Sequence, residues 1–235
     1  MTLLLCDLDD TLVDRGRVFG LWAADFVQAH GLTAEDLRWV TVLDDGGITT
    51  RERFWSRIRL RFSLPQPVEE LVSEWAVDFP SRYRCDAGVL DQLGEAHSRG
   101  WSLGVITNGD AHIQARKLAA AGLDLVVDSI CISGADGVRK PDRRIFALAA
   151  DRAGVPLESG WMIGDNPHAD IAGARSVGLR TMWLSRGRTW SVAGFRPDHQ
   201  APDPATAIRW VLDTEPFNEL TAASEDVQGC DGAGP

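Results

Sequence analysis

The sequence predicts an α/β protein: a parallel sheet with helices on both faces, and a helical segment inserted after the first strand. Short, almost purely apolar runs recur along the chain, as strands covered on both faces require. Helix-period segments separate these runs, which is the alternation of a parallel sheet. Between about residues 18 and 82 the alternation stops and only helix-period sequence remains.

The first apolar run is Leu3–Cys6. Later strand candidates are 103–106, 125–127 together with 130–132, 160–163 and 180–184. Helices are expected near 110–121, 141–153 and 168–177, with Gly122, Gly154 and Gly178 at their C-caps. Inside the interruption, Phe19, Trp22, Ala23, Phe26 and Val27 form an apolar stripe that Gly31 ends. Phe54, Ile58 and Phe62 repeat every fourth residue with Trp55 beside them, and Arg53, Arg57 and Arg61 follow on an adjacent strip. Pro65 and Pro67 precede a helix over roughly 68–79. About four helices are expected here, with Trp22, Trp39, Trp55 and Trp75 in their core.

Composition narrows the function. The 235 residues are 44% hydrophobic and carry a net charge of −10, so the chain can bury a core and is not dominated by disorder. The acidic balance argues against a nucleic-acid partner and against docking on an anionic membrane. From Thr214 onward there are five acids (Glu215, Glu219, Glu225, Asp226, Asp231) and no Lys or Arg. The four cysteines are scattered, without metal-ligand spacing or a disulfide framework. The first apolar run is too short for a signal peptide and no stretch is long enough to span a membrane, so the expected location is cytoplasmic.

Chemistry gathers where the apolar runs end. Asp7-Leu8-Asp9-Asp10-Thr11 follows the first run, and the carboxyl ends of parallel strands line the ligand crevice of such sheets. Three acids there repel one another unless they share a cation, and hard carboxylate oxygens suit Mg2+. A solvated acidic loop is the other reading of the same residues. Val105-Ile106-Thr107-Asn108-Gly109 supplies a hydroxyl and backbone N–H groups that could hold an anion, or simply a turn. Arg139-Lys140-Pro141-Asp142 puts one of only two lysines before a helix start. A compact ammonium suits a tight phosphate pocket, although a surface lysine looks the same in sequence. In Gly164-Asp165-Asn166-Pro167-His168-Ala169-Asp170, Asp165 and Asp170 could add to a cation site or belong to a capped turn. Each segment alone passes for an ordinary turn. Four of them at four successive strand ends do not.

In that order, DLDDT, ITNG, RKPD and GDNPHAD resemble the haloacid dehalogenase superfamily of phosphotransferases, over about residues 1–213. The resemblance implies a Rossmann-like core of 1–16 and 85–213, a small helical cap of 17–84, and an acidic, disordered tail of 214–235 outside it. It implies that Asp7 is the nucleophile and Asp9 the general acid and then base. Thr107 and the Asn108 backbone would hold phosphoryl oxygens, and Lys140 would neutralise charge between Asp7 and phosphate. Mg2+ would be held by Asp7, the Asp9 main-chain carbonyl and Asp165, with Thr11 and Asp170 in support. A carboxylate attacking a dianionic monoester needs cations on both, and an aspartyl-phosphate splits one hard displacement into two easier ones.

Asp9 bears on the reaction. Dehalogenases of the superfamily lack an acid there, because halide leaves without a proton; an acid implies an alkoxide leaving group. Phosphonate-cleaving members use a cap lysine, and this chain has no Lys before Lys117. Phosphosugar mutases share every motif and stay open, as does a catalytically idle binding or regulatory domain. The expectation is a Mg2+-dependent phosphatase of small phosphorylated metabolites, monomeric or homodimeric. Arg51, Arg53, Arg57, Arg59 and Arg61 form the densest basic cluster. One of them could reach a second anionic group on the substrate, but a solvated helix face paired with nearby acids is the plainer reading.

Overall fold

The computed structural model describes residues 2–158 and 160–214. Its strands are β1 (Thr2–Cys6), β2 (Trp101–Thr107), β3 (Ser129–Ile132), β4 (Trp161–Gly164), β5 (Arg180–Leu184) and β6 (His199–Ala201). The helices are α1 (Arg15–Ala29), α2 (Ala34–Asp44), α3 (Arg51–Phe62), α4 (Val68–Ser81), α5 (Ala87–Ser98), α6 (Ala111–Ala121), α7 (Ser133–Asp136), α8 (Arg143–Ala153), α9 (Gly173–Ser176) and α10 (Pro204–Thr214). All six strands pair in parallel, in the order β3-β2-β1-β4-β5-β6. This is the doubly wound, Rossmann-like order, in which the winding reverses between β1 and β4 and ligands bind outside the carboxyl ends of the strands. Cys6 is level with both Val105 and Ile163, so the residues that follow β1, β2 and β4 emerge side by side.

The uninterrupted apolar run of β1 has a direct cause. Leu3 and Leu5 face one side of the sheet, with Ile106, Met162 and the Ile145, Phe146 and Ala149 row of α8. Leu4 and Cys6 face the other, with Leu103, Leu93 of α5 and Ile208 and Val211 of α10. Both faces are covered, so neither can be polar. Each leucine buried in this way contributes roughly 1.5–3 kcal/mol.

Helices α1 to α4 lie between β1 and β2 in sequence, and side-chain caps start the first three. Asp14 accepts from the Arg17 N–H at 2.8 Å, Thr33 and Asp36 form a reciprocal capping box, and Thr50 caps α3. Their shared core is aromatic: Phe19, Trp22 and Phe26 of α1 meet Phe54 and Trp55 of α3, and Trp75 stacks on Phe79 at 4.5 Å. Trp39 is half-buried, edge-on to Phe62. Of the basic cluster, Arg61 pairs with Asp36 at 2.9 Å and Arg59 donates to the Gln66 carbonyl at 2.7 Å, while Arg53 and Arg57 are exposed. Arg51 alone of the five turns inward. It shares the buried Asp44 with Arg15, at 3.0 and 2.8 Å.

One local expectation needs correction. Residues 125–127 are not a strand: Leu123–Leu125 is a 3-10 turn with Leu125 86% exposed, and only Ser129–Ile132 pairs. The apolar stretch is split between a turn and a strand, and none of residues 125–127 is buried. The helix expected near 168–177 is present, its first part, Pro167–Ala172, wound as a π-helix that runs directly into α9. The edge strand β6 went unread because two of its three residues are exposed and carry no apolar signal. Thr214 closes α10, and the rest of the expected acidic tail, 215–235, lies outside the described residues. Among the described residues no helix is long and apolar enough to cross a membrane.

Candidate active site

Asp7 leaves β1 with its N–H still bonded to the Ile163 carbonyl of β4 at 3.0 Å, so its position is set by the sheet. Its carboxylate is buried, and Lys140 Nζ lies 2.6 Å from Oδ1. The same Nζ lies 2.7 Å from Asp170 Oδ1. Asn108 fixes the loop that delivers Lys140: its side-chain amide donates to the Lys140 carbonyl and accepts from the Lys140 N–H, both at 2.9 Å. The Asn108 side chain is thus occupied in joining the two loops, which leaves its backbone as the group that could meet an anion.

Asp170 is brought in beneath the end of β4. Its Oδ2 accepts from the Asn166 N–H at 2.9 Å, and any Cβ on Gly164 would collide with its side chain. Asp165 stands half-buried beside it, held by Arg188, whose Nη2 donates to Oδ2 at 3.1 Å. Trp183 donates its indole N–H to the Asp165 carbonyl at 2.8 Å. Burial pushes the Asp7 carboxyl up, to about 8, reinforced by Asp170 and Asp165 against the pull of Lys140. Burial and Asp170 likewise push Asp165 up, to about 7, against Arg188. Burial would lower Lys140, but Asp170 and Asp7 outweigh it and keep the ammonium charged well above its ordinary range.

Oxygens of Asp7, Asp165 and Asp170 all lie within 4.8 Å of one another. Three hard, crowded carboxylates, two of them sharing one ammonium, form a donor set that a small divalent cation such as Mg2+ fits. Burial first, and the neighbouring carboxylates second, disfavour the charged forms of Asp7 and Asp165, and a bound cation would offset both effects.

The three acids of DLDDT do not act as one cluster, which corrects the idea that they share a cation. Asp10 adopts a left-handed φ of 56° and turns its carboxylate to the Gly16 N–H at 3.0 Å, at the start of α1. The Asp9 carboxylate faces a different set of partners. Lys117 Nζ lies 2.9 and 2.8 Å from its two oxygens, Tyr83 donates to Oδ1 at 2.6 Å, and Gln114 donates to Oδ2 at 2.9 Å. Burial would raise this carboxyl, but Lys117, Tyr83 and Gln114 together hold it below its ordinary value. Only the main-chain carbonyl of Asp9 is left for the metal role implied by the resemblance.

Thr107 is buried at the end of β2, where its Oγ accepts from Gln114 Nε2 at 2.5 Å. A hydroxyl whose acceptor side is filled turns its own proton elsewhere, toward an anion when one is present. Thr11 is fully buried with no hydrogen-bond partner on its hydroxyl, and Arg186 grips the carbonyls of Asp10 and Thr11 at 2.5 and 2.9 Å. Lys117, Gln114, Tyr83 and Arg188 were not anticipated as site residues. Lys117 did have a signal, being the other of two lysines in an arginine-rich chain, three residues after Gln114 on one helix face.

Comparison with known proteins agrees with this architecture. The family model for haloacid dehalogenase-like hydrolases matches residues 1–178. The chain is 32% identical over 232 residues to a phosphoserine phosphatase of Thermus thermophilus, covering 80% of this chain and 90% of that protein. It is 36% identical over 192 residues to a glyceraldehyde 3-phosphate phosphatase of Pyrococcus furiosus, covering 77% and 80%. The solved structure of the Bacillus subtilis HAD-hydrolase YfnB superposes with a TM-score of 0.73 at 21% identity, over 89% of this chain and 98% of that one. With its strand order, its four loops at the carboxyl ends of the sheet and these matches, the chain belongs to the haloacid dehalogenase-like hydrolases.

Proposed function

We propose that the protein hydrolyses small phosphomonoesters by way of a phosphorylated Asp7, with Mg2+ as its metal. The coarse activity, phosphoric monoester hydrolysis, follows from membership of this hydrolase family together with phosphatase relatives aligned over most of the chain. The observation that carries the finer reading is the buried Lys140 Nζ 2.6 Å from Asp7, beside the converging Asp165 and Asp170. Lys140 offsets the charge of the attacking carboxylate, and the converging acids would hold the Mg2+ that offsets the charge of the dianionic phosphate.

In this reading the Asp7 carboxylate attacks phosphorus while the bond to the leaving oxygen breaks, and Asp9 protonates that oxygen. Water then attacks the phosphorylated Asp7 and gives its proton to Asp9, releasing inorganic phosphate and restoring the free carboxylate. Asp9, ionised at rest beside Lys117, takes up its first proton as the negative charge of the phosphate enters nearby. Lys140 stays charged throughout and steadies the equatorial oxygens; the Thr107 hydroxyl and the Asn108 backbone complete the phosphate cradle. Bound to Asp7 and Asp165, with Asp170 alongside, Mg2+ would supply Lewis-acid stabilisation of the phosphoryl charge. Residues 17–84 serve as the cap that selects the alcohol half of the substrate. The substrates named for the relatives, phosphoserine and glyceraldehyde 3-phosphate, set the size class to test first.

The test is inorganic phosphate release across a panel of phosphomonoesters, with Mg2+ and with EDTA, using Asp7→Asn as the blank. Metal-dependent release that vanishes in the blank supports the reading. Isomer formation from hexose phosphates without net phosphate release would overturn it.

A further inference from the structure

We propose that Lys117 is a positioning residue that holds the Asp9 carboxylate in register for proton transfer at the leaving oxygen. The assignment rests on the reading of Asp9 as the acid–base group. The chain has two lysines, both buried, and each bridges one aspartate of Asp7-Leu8-Asp9: Lys140 on Asp7 and Lys117 on Asp9. Every other cation of the sequence is an arginine or histidine.

The Lys117 ammonium meets both Asp9 oxygens, at 2.9 and 2.8 Å, and so restrains the plane of the carboxylate rather than one atom of it. Tyr83 on Oδ1 and Gln114 on Oδ2 hold the group from two further sides, and one of these bonds must open when Asp9 carries its proton. Lys117 and Gln114 lie three residues apart on the same face of α6. Gln114 also donates to Thr107, so one helix ties the leaving-group carboxylate to the hydroxyl assigned to phosphate. The Lys117 ammonium sits 4.9 and 6.0 Å from the ring centres of Tyr83 and Phe79. An ion pair whose ammonium is buried among aromatic rings is a poor means of stabilising a fold, because desolvation of that ammonium consumes much of its Coulomb energy. Proton transfer, by contrast, depends steeply on placement, since the donor must stand within hydrogen-bond reach of the departing atom.

Lys117→Met keeps the length and apolar packing of the stem while removing the ammonium. kcat and KM are measured with Mg2+ on an alkyl ester (O-phosphoserine or glycerol 3-phosphate, whichever the wild type turns over) and on 4-nitrophenyl phosphate. The aryl ester departs as a stabilised anion and needs no proton; the alkyl ester does. The expected result is a fall in kcat/KM, which reports the leaving-group step and not the hydrolysis of phosphorylated Asp7 common to both esters, about 10-fold or more greater on the alkyl ester than on the aryl ester. Lys117→Arg, which retains the charge, should recover part of that difference, and it carries the comparison if the Met variant does not fold. Equal losses on the two esters, no loss, or a greater loss on the aryl ester overturn the assignment. A wild type that releases phosphate from neither ester overturns the phosphatase reading itself, and the role of Lys117 with it.

Discussion

Lys140 Nζ and Asp7 Oδ1 stand 2.6 Å apart although 133 positions of sequence separate them. No local preference joins these residues. β1 and the loop before α8 bring them together because β2, the next strand over, carries Asn108, which clamps the Lys140 backbone. With Asp165 and Asp170 the pair makes a buried, charge-rich crevice at the reversal point of the sheet.

Replacing Asp7 by Asn should remove the nucleophile without removing the fold. Phosphate release is expected to fall by on the order of 10³-fold or more, as for other enzymes stripped of a nucleophile. The substitution also takes away one of three mutually repelling carboxylates, so the melting temperature should not drop. Normal turnover by Asp7→Asn would remove Asp7 from the chemistry.

Asp165→Asn addresses the metal. The variant should need about 10-fold more Mg2+ or greater for half-maximal activity, and Mg2+ should raise its melting temperature less than it raises that of the wild type. EDTA should silence the wild type. A variant with an unaltered Mg2+ response contradicts the ligand role.

Gly164→Ala tests the close approach beneath β4. A Cβ there would overlap the Asp170 side chain, so either the strand end or Asp170 must shift. Overpacking of this kind costs about 1–3 kcal/mol, readable as a lower urea midpoint. Wild-type stability together with wild-type activity would show that the contact relaxes without consequence.

Asp44 is the shared counter-ion of Arg15 and Arg51, and its side chain is almost wholly buried. Asp44→Ala strands two guanidinium groups in the helical insert. The expected loss is about 3–5 kcal/mol, measured by chemical denaturation. A loss below about 1 kcal/mol would mean that water reaches both arginines.

Asp136 gives a pH signature. Arg152 donates to it at 2.6 and 3.1 Å, and the Ile132 N–H adds a bond at 2.9 Å, so its carboxyl is held below its ordinary value. A lowered folded-state pKa contributes stability that is complete above the unfolded value of about 4 and is lost as pH falls through the folded one. With Arg152 partly exposed, Asp136→Asn should cost on the order of 1 kcal/mol at neutral pH. The gap to the wild type should close as pH falls below the ordinary carboxylate value and through the lowered folded-state one; a gap that persists in strong acid would assign the loss to something other than this charge.

Much of the architecture was legible in the chain. The β1 run Leu3–Cys6 is apolar because α8 covers one face and α5 and α10 the other, and a continuous run says as much before any coordinates exist. The aromatic stripes of α1 and α3 marked the insert in the same way. Asp7 and Asp165 were readable because each directly follows a strand, Thr107 because it ends one, Lys140 because its loop leads into α8, and Asp170 because it lies in the helical turn just after β4; parallel strands deliver such positions to one edge. Residues 125–127 misled because a short apolar run need be neither buried nor extended: Leu125 is exposed in a turn, and Val126 and Val127 are half-buried before β3 begins.

Sequence alone therefore determined that the sheet is parallel and covered on both faces, and which residues stand at its carboxyl edge, because periodicity and strand-end position are local properties. The partner of each charge was decided only by tertiary structure. Asp9 and Asp10 look equivalent to Asp7 on paper, yet one is turned to Lys117 and the other to the start of α1. A buried carboxylate takes whichever cation the packing of distant elements brings within about 3 Å, and that distance is set by strand register and helix packing, not by neighbours along the chain.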